Sequence, residues 1–124
     1  DRFIFIMGNG TAERFDIERG VSETLPNMKE KRNGAASCAL NGSVYVFFGQ
    51  DDSQEPISNY EKLQGADGPA ARARFVLCQP NITIIGRWFP AVSAINDNTI
   101  AIMGGMGVID DEDSCLGDVY VFST

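Results

Sequence analysis

Residues 32–50, RNGAASCALNGSVYVFFGQ, and residues 87–105, RWFPAVSAINDNTIAIMGG, align over nineteen positions without a gap, fifty-five residues apart. Five positions are identical, Arg32 with Arg87, Ala36 with Ala91, Ala39 with Ala94, Asn41 with Asn96 and Gly49 with Gly104. Internal repetition at such a period indicates an array of similar supersecondary units, none of which buries its own faces alone. A further copy is cut short at the start, where Phe3-Ile4-Phe5-Ile6-Met7-Gly8 falls on Val44-Tyr45-Val46-Phe47-Phe48-Gly49 at an offset of forty-one. On this alignment the chain begins inside a unit.

The units read as β-structure throughout. Apolar runs are short, rich in Val, Ile, Phe and Tyr, and separated by turn residues, which is the pattern of strands. The segment from Ala35 to Leu40, the pair Asn41-Gly42 and the segment from Ser43 to Phe48 make a hairpin, because both central residues of a type I′ turn take positive φ. Its second strand is apolar without alternation, as in a strand covered on both faces. After each glycine-ended strand comes a polar loop and then a strand with an aromatic, at Phe15, Tyr60 and Tyr120. A fourth strand follows in the first two units, around Val21 to Leu25 and around either Arg74 to Cys78 or Ile82 to Ile85. About ten strands result, in units of four, which is the pattern of propeller blades. The expected division is a partial blade over 1–31, a complete blade with loop insertions over 32–86 and a partial blade over 87–124. Closed propellers have four to eight blades of roughly 40 residues, so these 124 residues are expected to be a segment that does not close a ring. The remaining blades would come from the same longer chain or from sister chains.

Charge and residue types exclude several functions. Seventeen acidic residues against ten basic ones leave a net charge of -7, whereas a binder of phosphate backbones needs clustered Lys and Arg, so nucleic acid is not an expected partner. The longest apolar run is five residues, far short of the roughly 20 that span a bilayer as a helix, and no membrane partner is expected. There is no histidine, which removes the usual general base and the commonest transition-metal ligand, and neither catalysis nor a cofactor is expected. Three scattered cysteines without a C-x-x-C spacing point to reduced thiols and a cytoplasmic location. Glycosylation at the sequons of Asn9, Asn41 or Asn81 would instead mean secretion.

Thr24-Leu25-Pro26-Asn27-Met28, then Arg32, Ala36 and the run from Leu40 to Gly49, resemble the kelch repeat, and Asp118-Val119-Tyr120-Val121-Phe122 is similar to the strand that follows its double glycine. The resemblance covers essentially the whole chain. It departs from the family in lacking the tryptophan before Leu25-Pro26 and in having both glycines only at Gly104-Gly105. It implies an all-β, kelch-type propeller segment of about two and a half four-stranded blades, with the small-residue strand nearest a central channel. It also implies a scaffold that presents loops to a protein partner. The alternatives it carries are a non-catalytic part of a secreted galactose-oxidase-like enzyme and a structural subunit of a cytoskeletal or ciliary assembly.

Within that frame, Arg32 and Arg87 precede the first strand of successive units. By the resemblance they stand near a mouth of the channel, where they would either grip a partner's carboxylates or brace the neighbouring blade. Arg72 and Arg74, beside the insertion around Gly68-Pro69, are candidate partner contacts. Asp51 and Asp52 lie in the loop after the glycine-ended strand of the second unit. Asp110 and Asp111, in the run Asp110-Asp111-Glu112-Asp113, lie in the corresponding loop of the third. The run lacks the D-x-D-x-D-G order of a calcium loop, so these acidic loops are expected to face solvent and to suit a basic partner.

Overall fold

A computed structural model describes residues 2–124. The chain is all-β. Its strands are β1 (Phe3–Gly8), β2 (Thr11–Asp16), β3 (Val21–Thr24), β4 (Ala36–Leu40), β5 (Ser43–Phe47), β6 (Tyr60–Gln64), β7 (Arg74–Cys78), β8 (Ala91–Asn96), β9 (Thr99–Met103), β10 (Met106–Ile109), β11 (Glu112–Cys115) and β12 (Val119–Ser123). The only helical segment among the described residues is a single 3-10 turn at Ala70–Arg72. The strands form antiparallel sheets ordered β1-β2-β3, β4-β5-β6-β7 and β8-β9-β12, with β10 and β11 as a separate hairpin. Among the described residues no sheet closes into a barrel. β7 takes the fourth place of the second sheet, and Ile82 to Ile85 form no strand.

The sheets stack face to face, which is why β5 is apolar at every position from Val44 to Phe47. Val44 and Val46, with Leu63 and Phe75, pack toward the first sheet, where Phe5, Met7, Ala12, Leu25 and Met28 meet them. Tyr45 and Phe47 point the other way, into a cluster with Ile100, Ile102, Val92, Tyr120 and Phe122 of the third sheet. The Phe122 ring stands edge-on to Phe47, Tyr60 and Tyr45, with centroids at 5.6, 5.0 and 6.4 Å, the arrangement that ring quadrupoles favour. β4 and β8 lie side by side where the second and third sheets meet. Stacked antiparallel sheets of three and four strands are the architecture of a partial propeller.

The register corrects the ungapped repeat. Phe47 pairs with Ala36 and Met103 with Ala91, so the two first strands remain fifty-five residues apart while the two second strands lie fifty-six apart. The extra residue is Ile95, a β-bulge between the pairs Ala94 with Ile100 and Asn96 with Thr99. A one-residue slip moves every side chain to the opposite face. The structural counterpart of Ile102 is therefore Val46, and both point toward the preceding sheet. Gly49 corresponds to Gly105 for the same reason. At φ of 101° and 94°, each has its missing Cβ against the carbonyl of Asn33 or Trp88, at 2.9 and 2.8 Å, and a side chain at either place would collide with backbone.

The first unit is also displaced by one. Met7 pairs with Ala12 as Phe47 pairs with Tyr60, and Phe5 faces the next sheet as Tyr45 does. The offset is thus forty, and the structural counterpart of Gly8 is Phe48 rather than Gly49. The Asn41-Gly42 turn forms as expected, Asn9-Gly10 makes a second one of the same kind, and φ is positive at all four residues. The strand count among the described residues rises to twelve because the acidic segment of the third unit, expected as a loop, is the hairpin β10–β11 with Asp110 and Asp111 at its turn, φ 51° and 64°.

Candidate functional site: two loops on arginine bases

Arg32 and Arg87 have fully buried side chains. Arg32 donates from Nη1 to the carbonyls of Phe48 and Asn59 at 3.1 and 3.0 Å, from Nη2 to Asn59 Oδ1 at 2.7 Å and from Nε to Glu61 Oε2 at 3.0 Å. Arg87 donates from Nη1 to the Gly104 carbonyl at 3.0 Å and to Asp118 Oδ1 at 2.5 Å, and from Nη2 to Asp118 Oδ2 at 2.9 Å. Its Nε bonds the Ile85 carbonyl at 3.1 Å. In the corrected register Phe48 is the counterpart of Gly104 and Asn59 that of Asp118. The N–H of Phe48 bonds the carbonyl of Asn59, and the N–H of Gly104 bonds that of Asp118. One device thus occurs twice, a buried guanidinium gripping the first and last residues of the loop between the second and third strands. Both groups are turned inward and enclosed rather than open to a partner's carboxylates, and what each braces is the loop of its own sheet, not the neighbouring blade as expected.

The two braces differ in charge. Asn59 is neutral, and the buried carboxylate facing Arg32 comes from Glu61, which also accepts the N–H groups of Lys29 and Glu30. That carboxylate holds down the connection between the first and second sheets and leaves the Arg32 charge compensated, as burial demands. Tyr120 occupies the position of Glu61 in the third sheet, and its ring lies 5.4 Å from the Arg87 guanidinium. The charge partner there is Asp118, whose carboxyl the Arg87 hydrogen bonds hold below its ordinary range.

Above these bases stand the acidic loops. Asp51 is partly buried and structural, since its Oδ1 accepts the N–H groups of Ser53 and Glu55, both at 2.9 Å. Asp52 is exposed and pairs with Lys31 at 3.3 Å. Asp110 and Asp111 are exposed at the tip of β10–β11. Both loops leave their sheets in the same way, Gln50 bridging to Asn33 and Met106 to Trp88. No hydrogen bond or ion pair among the described residues joins one acidic loop to the other. Arg72 and Arg74 lie elsewhere, on the insertion between β6 and β7 and at the start of β7; both are exposed, and Arg74 Nε donates to Gln64 at 3.3 Å.

Sequence reasoning missed the anchors Asn59, Glu61 and Asp118 and the clamp made by Arg14. That side chain is buried, donates to the carbonyls of Ala66 and Gly68 at 2.7 and 2.6 Å, pairs with Glu23 and so ties the first sheet to the second. A polar residue just ahead of each aromatic strand was the available signal for Asn59 and Asp118. The matching tyrosines Tyr60 and Tyr120 drew the alignment one residue away from it.

Among the described residues no group of three or more His, Cys, Asp or Glu is placed to hold a metal ion. The cysteines are free thiols, and among the described residues no helix is long and apolar enough to cross a membrane. No protein-family model matches the chain, and no curated protein matches its sequence.

Proposed function

We propose that the chain is a kelch-type propeller segment that binds a protein partner without catalysis, presenting the loop between β5 and β6 and the hairpin β10–β11 as an acidic contact surface. The observation that carries this reading is the repeated arginine base. A guanidinium that fixes both ends of a loop lets the residues between them vary in length and sequence without disturbing the sheet below, which suits a binding surface built on a rigid scaffold. The exposed carboxylates Asp52, Asp110 and Asp111, on a chain with net charge -7, match a partner with a basic face. Exposed Arg72 and Arg74 supply a second, basic contact on the β6–β7 side. Free cysteines agree with a reducing cytoplasmic setting.

The test is titration calorimetry of lysine- and arginine-rich peptides against the chain and against the triple variant Asp52→Asn, Asp110→Asn, Asp111→Asn. The reading expects salt-sensitive binding that the variant weakens about tenfold or more, as the loss of steering charges requires. Equal affinity for the two proteins, or no binding at low salt, would contradict it.

A further inference from the structure

We infer that the outer edge of β1 is an acceptor for an extended strand with small side chains, bound antiparallel to β1 and packed against β4. The inference rests on sheet topology and is independent of the loop-display reading. In the second and third sheets the position outside the second strand is filled, by β4 beside β5 and by β8 beside β9. In the first sheet, among the described residues, β1 is itself the edge.

The main chain of β1 is set for such a strand. Hydrogen bonding alternates along an antiparallel pair, and the N–H of Ile17 bonds the carbonyl of Arg2. Arg2, Ile4, Ile6 and Gly8 therefore bond toward β2, leaving the N–H and C=O groups of Phe3, Phe5 and Met7 directed at the free edge. Their counterparts Ser43, Tyr45 and Phe47 stand opposite Leu40, Cys38 and Ala36 of β4.

Space for the strand is present as well. Two clefts lie end to end between β1 and β4, one of about 380 Å³ beside Phe3, Phe5, Ala39 and Leu40 and one of about 300 Å³ beside Met7, Gly8, Ala36 and Ser37. Ser37 and Ala39 are exposed on the cleft side, whereas the opposite side of β4 is covered by β8. Phe5 and Met7 are only half-buried, while Tyr45 and Phe47, which have a first strand beside them, are 5 % and 0 % exposed.

The chemistry of the occupant follows from β4 and β8. Facing Tyr45 and Phe47 are Cys38 and Ala36, and facing Ala101 and Met103 are Ser93 and Ala91. A segment of five or six residues with Ala, Ser or Cys at alternate positions fits, by main-chain bonding with side-chain selection on one face.

The probe is a peptide of residues 34–41 carrying Cys38→Ser, added to the intact chain while amide hydrogen exchange is followed by NMR. Exchange at Phe3, Phe5 and Met7 is expected to slow about tenfold or more, because an amide that gains a cross-strand bond exchanges only on opening, with Ile4 and Ile6 unchanged. The same peptide with Cys38→Pro, which lacks the central N–H, or with Cys38→Trp, too bulky for the slot, is expected to leave exchange as it was. Unchanged exchange at β1 with the first peptide, equal protection from the proline peptide, or altered exchange at Tyr45 through displacement of β4 would each overturn the inference.

Discussion

Arg87 holds Asp118 through two parallel hydrogen bonds, Nη1 to Oδ1 at 2.5 Å and Nη2 to Oδ2 at 2.9 Å, at the place where Arg32 holds Asn59. In the second sheet a neutral residue fills this place because Glu61 balances the guanidinium, whereas Tyr120 stands at that position in the third and Asp118 carries the charge itself. Asp118→Ala leaves a buried guanidinium without its carboxylate and is expected to cost about 2–3 kcal/mol, less than for a wholly buried pair because Asp118 is partly exposed. Asp118→Asn keeps an acceptor but leaves the Arg87 charge unbalanced, and is expected to cost about 1–2 kcal/mol, less than the alanine variant. Urea unfolding of the two variants measures the difference; equal losses would remove the brace from the account.

Stability should fall at both ends of the pH scale for identifiable reasons. Hydrogen bonds from the Arg2 guanidinium, aided by the N–H groups of Arg19 and Glu18, hold the Asp16 carboxyl down at about 2, and Arg87 lowers Asp118. Unfolded, these carboxyls titrate near ~3.9. Their folded-state values are depressed, so their stabilisation is complete above that value and is lost as the pH falls, for Asp16 toward about 2. Asp16→Asn is expected to flatten the acid limb of a stability profile, and an unchanged limb would contradict this.

At the alkaline end burial, with Cys78 beside it, pushes the Tyr60 hydroxyl up to about 12. A raised value reverses the sign. The contribution is intact below the unfolded value near ~10 and is lost as the pH climbs toward about 12. Tyr60→Phe is expected to remove that part of the alkaline loss in a denaturation series, and a profile identical to the parent's would refute the assignment.

Neighbouring residues of β12 lie on opposite faces and should respond oppositely. Phe122 meets Phe47, Tyr45 and Tyr60, and Phe122→Ala is expected to cost about 2–3 kcal/mol. Val121 is 62 % exposed, and Val121→Ala is expected to stay within about 0.5 kcal/mol. Thermal unfolding distinguishes them, and the reverse order would place the wrong face of β12 against the second sheet.

The bulge yields a deletion test. Removing Ile95, which is exposed, leaves Ala94 opposite Ile100 and Asn96 opposite Thr99 and turns the hairpin into a regular two-residue one, with Asp97 and Asn98 suited to its turn. Folding should survive. Removing Ala101 would swing Ile102 to the outer face and should abolish the far-UV signature of the native fold. A chain that tolerates both deletions equally has no defined register there.

The architecture was legible because strand length, the Asn-Gly turns and the recurring first strands are local features. Residue-level equivalence was not. Gly49 and Gly104 at an offset of fifty-five, and Gly8 and Gly49 at forty-one, gave gapless matches in which the second strands are inverted, since an apolar strand covered on both sides carries no alternation to expose a slip of one. The arginine pair was visible as a repeat. Its role depended on Asn59, Glu61 and Asp118, which reach it across 27, 29 and 31 residues of sequence. The hairpin β10–β11 was hidden because its turn is Asp110-Asp111, and acidic residues in series read as a solvated loop when their positive φ is unknown.

Nuclear Overhauser contacts test the stacking most directly. Face-to-face sheets in the corrected register predict contacts from the Phe122 ring to Phe47 and Tyr45, from Ile102 to the same cluster and from Val46 to Phe5, with none from Val121 to the second sheet. Contacts from Val121 or Met103 to Tyr45 and Phe47, with Ile102 and Phe122 free of them, would show the third sheet packed by its other face and contradict the account.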